Sequence, residues 1–409
     1  MIYLDYAATT PTDQSVIDLI IQHLGFKGVF GNPSSKYHQF GWMAKEAVET
    51  ARYHLAELIG ADSAEIFWTS GATESINLAI KGVVEGRSQQ GIHIVTSSLE
   101  HKAVLDSCSY LADKGFEITH VTPDQEGLII PEKIDEALRD DTILVSLMHV
   151  NNEVGTITDI NKIGQITRDR GVPFHVDAAQ SSARLPLDVS EMPVDFLSLS
   201  GHKMYGPKGV GALYISKRSG ITIKPQTHGG GQESSVRPGT LPTHQLVGMG
   251  EAARLVKQRL PQDAETIAAL DKYLLDSLKE IESTKFNGNQ VHRVPGILNI
   301  SFAHVQNESL MMSLKDIAIS SGSACTSSRI EPSHVLLGLG ISTDTANCSV
   351  RFSLGRHTTR DEIDFAVMRV RESVNLLREL SLQLRSQSYD KLLQSDDKIT
   401  HITLVQESV

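Results

Sequence analysis

The chain has 409 residues, with 38 basic against 49 acidic side chains and a formal charge of -11 at pH 7. That length exceeds one ordinary hydrophobic core, so two domains are expected, and the acidic balance argues against direct binding to nucleic acid or to an anionic membrane surface. No apolar run approaches a membrane span, and the start Met1-Ile2-Tyr3-Leu4-Asp5 has no basic segment leading into an apolar one. The reading is a soluble cytoplasmic protein whose partners are proteins and small molecules.

In chain order, apolar periodicity predicts helices over residues 13–24, over 43–59 with Gly60 closing the second, and over 73–84. Short apolar runs at 92–95, 143–147, 174–176 and 196–199 read as strands. Strands alternating with helices imply an α/β fold with a mostly parallel sheet flanked by helices, and ligands bind at the carboxyl ends of such strands. After about Pro261 the pattern changes to an amphipathic helix over 264–281, strands near 298–302 and 350–354, and a final helix opening at a capping box, Thr359 with Glu362.

Four segments at predicted strand ends carry chemistry. Ile66-Phe67-Trp68-Thr69-Ser70-Gly71-Ala72-Thr73 runs from strand through a small-residue turn into a helix, where free amides and the Thr73 hydroxyl suit a phosphate. Ser98-Leu99-Glu100-His101-Lys102 places an imidazole where it can lie over a flat cofactor, or serve as a loop residue. Val176-Asp177-Ala178-Ala179-Gln180 ends a strand in a carboxylate that suits a pyridinium nitrogen, or a helix cap. Ser200-Gly201-His202-Lys203 delivers an amine from a buried strand, a nucleophile for a Schiff base or a lysine at a strand end.

The three cysteines, Cys108, Cys325 and Cys348, lie far apart without C-x-x-C spacing, which points away from a disulfide framework and from a self-contained zinc site. Cys108 shares helical spacing with Val104, Leu105 and Leu111, and Cys348 precedes a predicted strand, so both read as packed thiols. Cys325 sits among small and polar residues, Ser321-Gly322-Ser323-Ala324-Cys325-Thr326-Ser327, in a segment read as an exposed loop.

Taken together these strings, with Leu4-Asp5-Tyr6-Ala7-Ala8-Thr9, His149-Val150-Asn151-Asn152-Glu153 and Arg351-Phe352-Ser353-Leu354-Gly355-Arg356, resemble the cysteine desulfurases of the class V aminotransferase fold, specifically the housekeeping IscS type. The resemblance covers nearly the whole chain. It implies the fold type I of pyridoxal phosphate (PLP) enzymes, with a large PLP-binding domain over 13–261 built on a seven-stranded-type sheet. A smaller α+β domain is implied from 1–12 with 262–385, carrying the catalytic-cysteine loop at about 320–332, followed by a polar tail over 386–409.

The same resemblance assigns roles. Lys203 holds PLP, Ala72, Thr73, Ser200 and His202 bind its phosphate with Thr240 from a neighbouring subunit, Asp177 pairs with the ring nitrogen and Gln180 contacts the phenolic oxygen. His101 stacks on the ring and relays protons, Asn152 holds cofactor or substrate, and Arg351 clamps the carboxylate of L-cysteine. Cys325 as thiolate takes the sulfur as a persulfide, alanine leaves, and sulfur passes to acceptors by exchange at the outer sulfur. Implied partners are a second copy of the chain, an iron-sulfur scaffold protein and sulfur carriers for tRNA thiolation; Cys325 is also implied as a transient [2Fe-2S] ligand shared with the scaffold.

Two departures from the family pattern stand out. Arg237-Pro238-Gly239-Thr240 has a proline where a serine is usual, removing an amide beside Thr240, and the stretch after Leu384 differs from the scaffold-docking end. Alternative readings are another class V enzyme, such as a selenocysteine lyase or a small-amino-acid aminotransferase, and a non-catalytic sulfur-relay protein. A nicotinamide-binding reading is disfavoured, because Gly206-Pro207-Lys208-Gly209-Val210-Gly211 lacks the G-x-G-x-x-G order.

Overall fold

The structure is a computed structural model that describes residues 1–321 and 332–406, with side chains as far as residue 383. After β1 (Ile2–Tyr3), seven strands build one sheet: β2 (Ile66–Thr69), β3 (His93–Ser97), β4 (Glu117–Val121), β5 (Thr142–Met148), β6 (Phe174–Asp177), β7 (Phe196–Ser200) and β8 (Gly211–Ile215). Their order is β2-β8-β7-β6-β5-β3-β4, with β4 through β7 parallel and antiparallel pairing on both sides of β8. Two reversals in succession return β2 to the direction of β7. The carboxyl ends of β2, β3, β5, β6 and β7 therefore leave the sheet at one edge.

Side chains alternate across this sheet with the two-residue period of a strand. Val95, Val145, Leu197 and Tyr214 face one apolar core, while Ile94, Leu144, Phe196 and Leu213 face another. The first core is covered by α1 (Gln14–Ile21) and α2 (Gln39–Ile59), the second by α3 (Ala72–Arg87) and α4 (Lys102–Ala112); α5 (Pro131–Ala137) and α6 (Ile160–Asp169) complete the first layer. With both faces buried, β5 and β7 have no exposed residue, which is why they read as continuous apolar runs. Helix α2 stops where expected, at Gly60 in the left-handed conformation (φ 68°). It starts four positions before the predicted residue 43, because the His38 side chain accepts the Gly41 amide and so fixes an earlier cap. Helix α1, predicted as far as residue 24, ends at Ile21.

The helix predicted over 264–281 is the second half of a longer one, α7 (Thr243–Lys279), which runs through Pro261. A proline inside a helix costs about 3 kcal/mol, but both halves are anchored. Leu246, Met249, Ala253 and Val256 enter the first core, and Ile267, Leu274 and Leu278 enter a separate one. At ~1.5–3 kcal/mol for each large buried side chain, that packing outweighs the lost hydrogen bond.

The separate core belongs to a second, antiparallel sheet of β9 (Thr284–Asn287), β10 (Ile297–Phe302) and β12 (Ser349–Ser353), in the order β12-β10-β9. Leu4 from the amino-terminal segment packs here, and β1 pairs in parallel with β11 (Ile317–Ala318). Between these strands lie α8 (Asn307–Ser313), α9 (His334–Gly338) and α10 (Thr343–Ala346), and Val335, Leu336 and Ala346 pack back against the first core. The last helix, α11 (Arg360–Gln406), opens with the expected reciprocal cap: the Thr359 amide donates to Glu362 Oε2 (2.9 Å) and the Glu362 amide to Thr359 Oγ1 (3.3 Å). It continues through the polar stretch that begins at 386.

Arg356 ties the two halves together. Its guanidinium, 3% exposed, bridges Asp263 on α7 (2.7 Å) and Asp13 at the start of α1 (3.1 Å), and lies 4.1 Å over the Tyr205 ring. Removing one member of such a buried network strands the others, at about 3–5 kcal/mol. Arg356→Ala is therefore expected to lower the free energy of unfolding by about that much in urea titration; a loss below about 1 kcal/mol, the range of an exposed ion pair, would show that the bridge does not hold the halves.

Candidate active site

At the shared carboxyl edge of the strands lies a cavity of about 550 Å³. Its wall includes Ala72 and Thr73 after β2, His101 after β3, Asn152 after β5, Asp177 at the end of β6 with Gln180 beyond it, Ser200 at the end of β7 with His202 and Lys203 beyond it, and Arg351 from β12 of the second sheet. Ten of the residues singled out in the sequence thus meet in one place, brought there by strand direction.

Each is held by its surroundings. The Lys203 amine donates to the carbonyl oxygens of Ala7 (2.6 Å) and Ala8 (2.8 Å), so the amino-terminal segment positions it in the cavity wall. Gln180 donates to the same Ala7 carbonyl (2.8 Å). His101 caps α4, its Nδ1 accepting the Ala103 amide at 3.1 Å. A ring accepting through Nδ1 carries its proton, when neutral, on Nε2. His202 Nδ1 meets Thr9 Oγ1 at 3.1 Å, and burial, with the charges of Lys203 and Lys208, pushes its pKa down to about 4.

Three observations fit this cavity to PLP. First, α3 begins at Gly71 without a side-chain cap, leaving the amides of the first turn with no partner from the helix itself. Gly71 takes φ +154°, and Gly211 lies so close that an added Cβ would meet Gly71 Cα at 2.6 Å; glycines on both sides let the turn sit against β8. Second, Asp177 is buried, and its carboxylate accepts the Ala179 amide at 2.9 Å. Burial holds its pKa above the usual carboxylate range, despite the attraction of His101 and Lys203, so a cationic ring nitrogen would stabilise it. Third, Lys203 lines the same space as this carboxylate and this helix start.

Arg351 also lines the cavity and is buried. One terminal nitrogen donates to the Asn152 carbonyl (2.8 Å) and the other pairs with Asp5 (2.7 Å), while Nε is buried with no acceptor among the described residues. A guanidinium fixed in this way keeps a donor for a carboxylate.

Two predicted residues lie elsewhere. Thr240 is exposed and does not line the cavity of its own chain, and Cys325 falls outside the described residues. The other two thiols are poor nucleophiles: burial pushes Cys108 up to about 12 and raises Cys348 as well.

The residue reading missed several supporting groups. Asp5, Ala7 and Ala8 orient Arg351 and Lys203, yet the amino-terminal string carried no assigned role. Asn151 is a brace: its Oδ1 accepts the amides of Glu153 (2.9 Å) and Val154 (3.0 Å), and its Nδ2 donates to the Leu99 carbonyl (3.1 Å). Glu100 is buried, accepts the Ser97 hydroxyl (2.6 Å) and is pushed up to about 8 by that burial. For Asn151 and Glu100 the only sequence signal is a polar residue beside an apolar strand; for Ala7 and Ala8 there is none.

Comparison with known proteins agrees with the geometry. The aminotransferase class-V family matches residues 2–365. A cysteine desulfurase IscS of Shewanella sp. (strain MR-4) is 54% identical over 380 residues, covering 93% of this chain and 94% of the relative; one of Shewanella frigidimarina (strain NCIMB 400) has the same identity and coverage. Among solved structures, a NifS-like protein superposes with a TM-score of 0.86 at 33% identity, over 92% of this chain and 99% of its own. SspA in complex with cysteine superposes with a TM-score of 0.79 at 38% identity, over 88% and 100%. The chain belongs to the class-V aminotransferase family, whose members work with PLP, and within it to the group that holds the IscS and NifS-like proteins.

Proposed function

We propose that this protein is a PLP-dependent cysteine desulfurase that converts L-cysteine to L-alanine and stores the sulfur as a persulfide on Cys325. The observation that carries the reading is the meeting of Lys203, Asp177, His101 and Arg351 around one cavity that is also lined by the start of α3, which has no side-chain cap. The relatives named above and a related structure holding cysteine support the choice of substrate.

When bound, PLP supplies an electron sink for the pair left on the substrate carbon. The phosphate falls to the first turn of α3 with Thr73, Ser200 and His202; the ring nitrogen to Asp177, its oxygen to Gln180, and its aldehyde to Lys203. Arg351 takes the substrate carboxylate, with Asp5 and the Asn152 carbonyl keeping the guanidinium in register. His101 donates through Nε2 and takes a proton there, since Nδ1 is engaged by the Ala103 amide. The thiolate of Cys325 forms an S–S bond to the substrate sulfur while the C–S bond breaks; the carbon keeps the electron pair, gains a proton and leaves as alanine.

Reach permits this role. Cys325 is five residues beyond Ser320, whose amide and carbonyl pair with Arg351 (3.2 and 2.6 Å). Five residues span at most about 18 Å, so the thiol is tethered within a short swing of the carboxylate clamp.

A homodimer is part of the proposal. Thr240 is outside its own cavity, and the chain exposes the aromatic residues Phe26, Tyr37, Phe40 and Trp42 near the start of α2, an apolar surface of the kind that partners cover. The acceptors proposed are an iron-sulfur scaffold protein, with Cys325 as a transient [2Fe-2S] ligand, and sulfur carriers of tRNA thiolation, in the cytoplasm. No helix among the described residues is long and apolar enough to cross a membrane.

After treatment with cysteine, the peptide containing Cys325 should gain the mass of one sulfur atom, and Cys325→Ala should lose both that adduct and alanine release while keeping the visible absorption of bound cofactor. Alanine formed by keto-acid-dependent amino transfer in the variant, with no adduct in the native protein, would make it an aminotransferase instead. His101→Gln should lower kcat by about 10²–10⁴-fold, the usual contribution of a positioned acid-base group; an unchanged kcat would remove His101 from the proton path. Arg351→Lys should raise KM for cysteine roughly 10-fold, as for the loss of about 1.5 kcal/mol from a charge-assisted hydrogen bond. An unaltered KM would exclude the clamp.

A further inference from the structure

At the opposite edge of the central sheet, beside the amino ends of β6 and β7, lies a second cavity of about 400 Å³. Three arginines from three different elements converge on it: Arg87 in the last turn of α3, Arg168 in the last turn of α6, and Arg218 after β8. Asp195, just before β7, is the one acidic side chain in the wall. In a chain of charge -11 this is a concentration of positive charge, three against one.

Helix termini explain part of this, since a cation suits the last turn of a helix. They do not explain why two such cations and a third from a loop face the same space. Nor does Asp195 consume them. Its carboxylate accepts the Phe174 amide at 2.8 Å, and among the described residues it forms no salt bridge with any of the three arginines, although their charges act on it. Arg218 is spent on the carbonyls of Val189 (2.6 Å) and Ser190 (3.1 Å), which fixes its guanidinium in place. Arg87 has no side-chain acceptor among the described residues, and its Nε is buried with none. A guanidinium that lines a cavity and has no acceptor in its wall keeps its terminal N–H groups for what enters that space.

We infer that this cavity binds a small polyanion, of the pyrophosphate or phosphate-ester class. Planar forked donors match the oxygens of a phosphoryl group, and three guanidiniums against one carboxylate leave two charges to meet a dianion or a larger anion. The volume suits a small molecule rather than a polymer. The site is separate from the PLP phosphate seat, being reached from the amino rather than the carboxyl ends of the same strands.

The test is calorimetric titration of pyrophosphate into the PLP-loaded enzyme, whose own phosphate seat is then filled, at constant ionic strength with chloride as the balancing anion. Saturable binding is expected, weakened about 10-fold or more by Arg87→Gln and by Arg168→Gln, and unchanged by Thr73→Ala in the cofactor seat. No saturable binding by the native enzyme up to about 10 mM, an affinity too weak for three guanidiniums acting together, would overturn the inference. So would binding that survives Arg168→Gln or that falls with Thr73→Ala. Arg168 is exposed, so that variant folds even if Arg87→Gln does not. Inorganic phosphate and a phosphate monoester titrated in parallel separate a site for a free anion from one that needs an ester.

Discussion

A guanidinium almost wholly removed from water must find acceptors, and Arg351 finds them across the junction between the two sheets. It stands on β12, in the second core, and donates to the Asn152 carbonyl, which follows β5 of the first. Its other partner, Asp5, lies in the amino-terminal segment whose Ala7 and Ala8 carbonyls hold Lys203. One side chain thereby links the part of the cavity wall that comes from the second sheet to the segment that holds the Lys203 amine. Breaking it would leave a buried charge on one side or the other, a cost of several kcal/mol, so the cavity cannot widen without penalty.

The strand ends were readable because their chemistry breaks a local rule. Asp177 and Lys203 each follow an apolar strand at a point where the ordinary alternatives, a cap or a surface lysine, predict nothing further; only the parallel order of β5, β6 and β7 makes them neighbours. Supporting groups were less readable. The Ala7 and Ala8 carbonyls are backbone, so no side chain announces them. Helix α7 was read short because Pro261 outweighs its flanks in any local pattern, whereas the tertiary packing of Leu246 through Leu278 decides the outcome. Strand β4 is an edge strand with an irregular pattern, Glu117-Ile118-Thr119-His120-Val121, and left no clear apolar run. Thr240 carries no signal of its own in the sequence, and its role is one the family resemblance alone implies.

Much of the polar sequence near the site braces rather than reacts. Asn151 joins the turn after β5 to the Leu99 carbonyl after β3, and His334 Nε2 meets the Glu100 carbonyl at 3.0 Å. Ser333, which caps α9, donates to the buried Glu153 carboxylate at 2.5 Å. Such satisfied networks are rigid because each lost partner would strand another. They explain why His149-Val150-Asn151-Asn152-Glu153 reads as a functional string, although Asn152 is the member of it assigned to cofactor or substrate.

The same braces fix the chain on either side of the segment that carries Cys325. Before residue 322 the chain is committed to the second core, through Ile317 on β11 and the pairing of Ser320 with Arg351. From Ser333 onward it is committed to the first, through Glu153 and the packing of Val335 and Leu336. The two flanks of residues 322–331 are thereby fixed by different cores, one through the backbone of Arg351 and the other through Glu153, next to Asn152, so the residues that brace the cavity also set where that segment begins and ends.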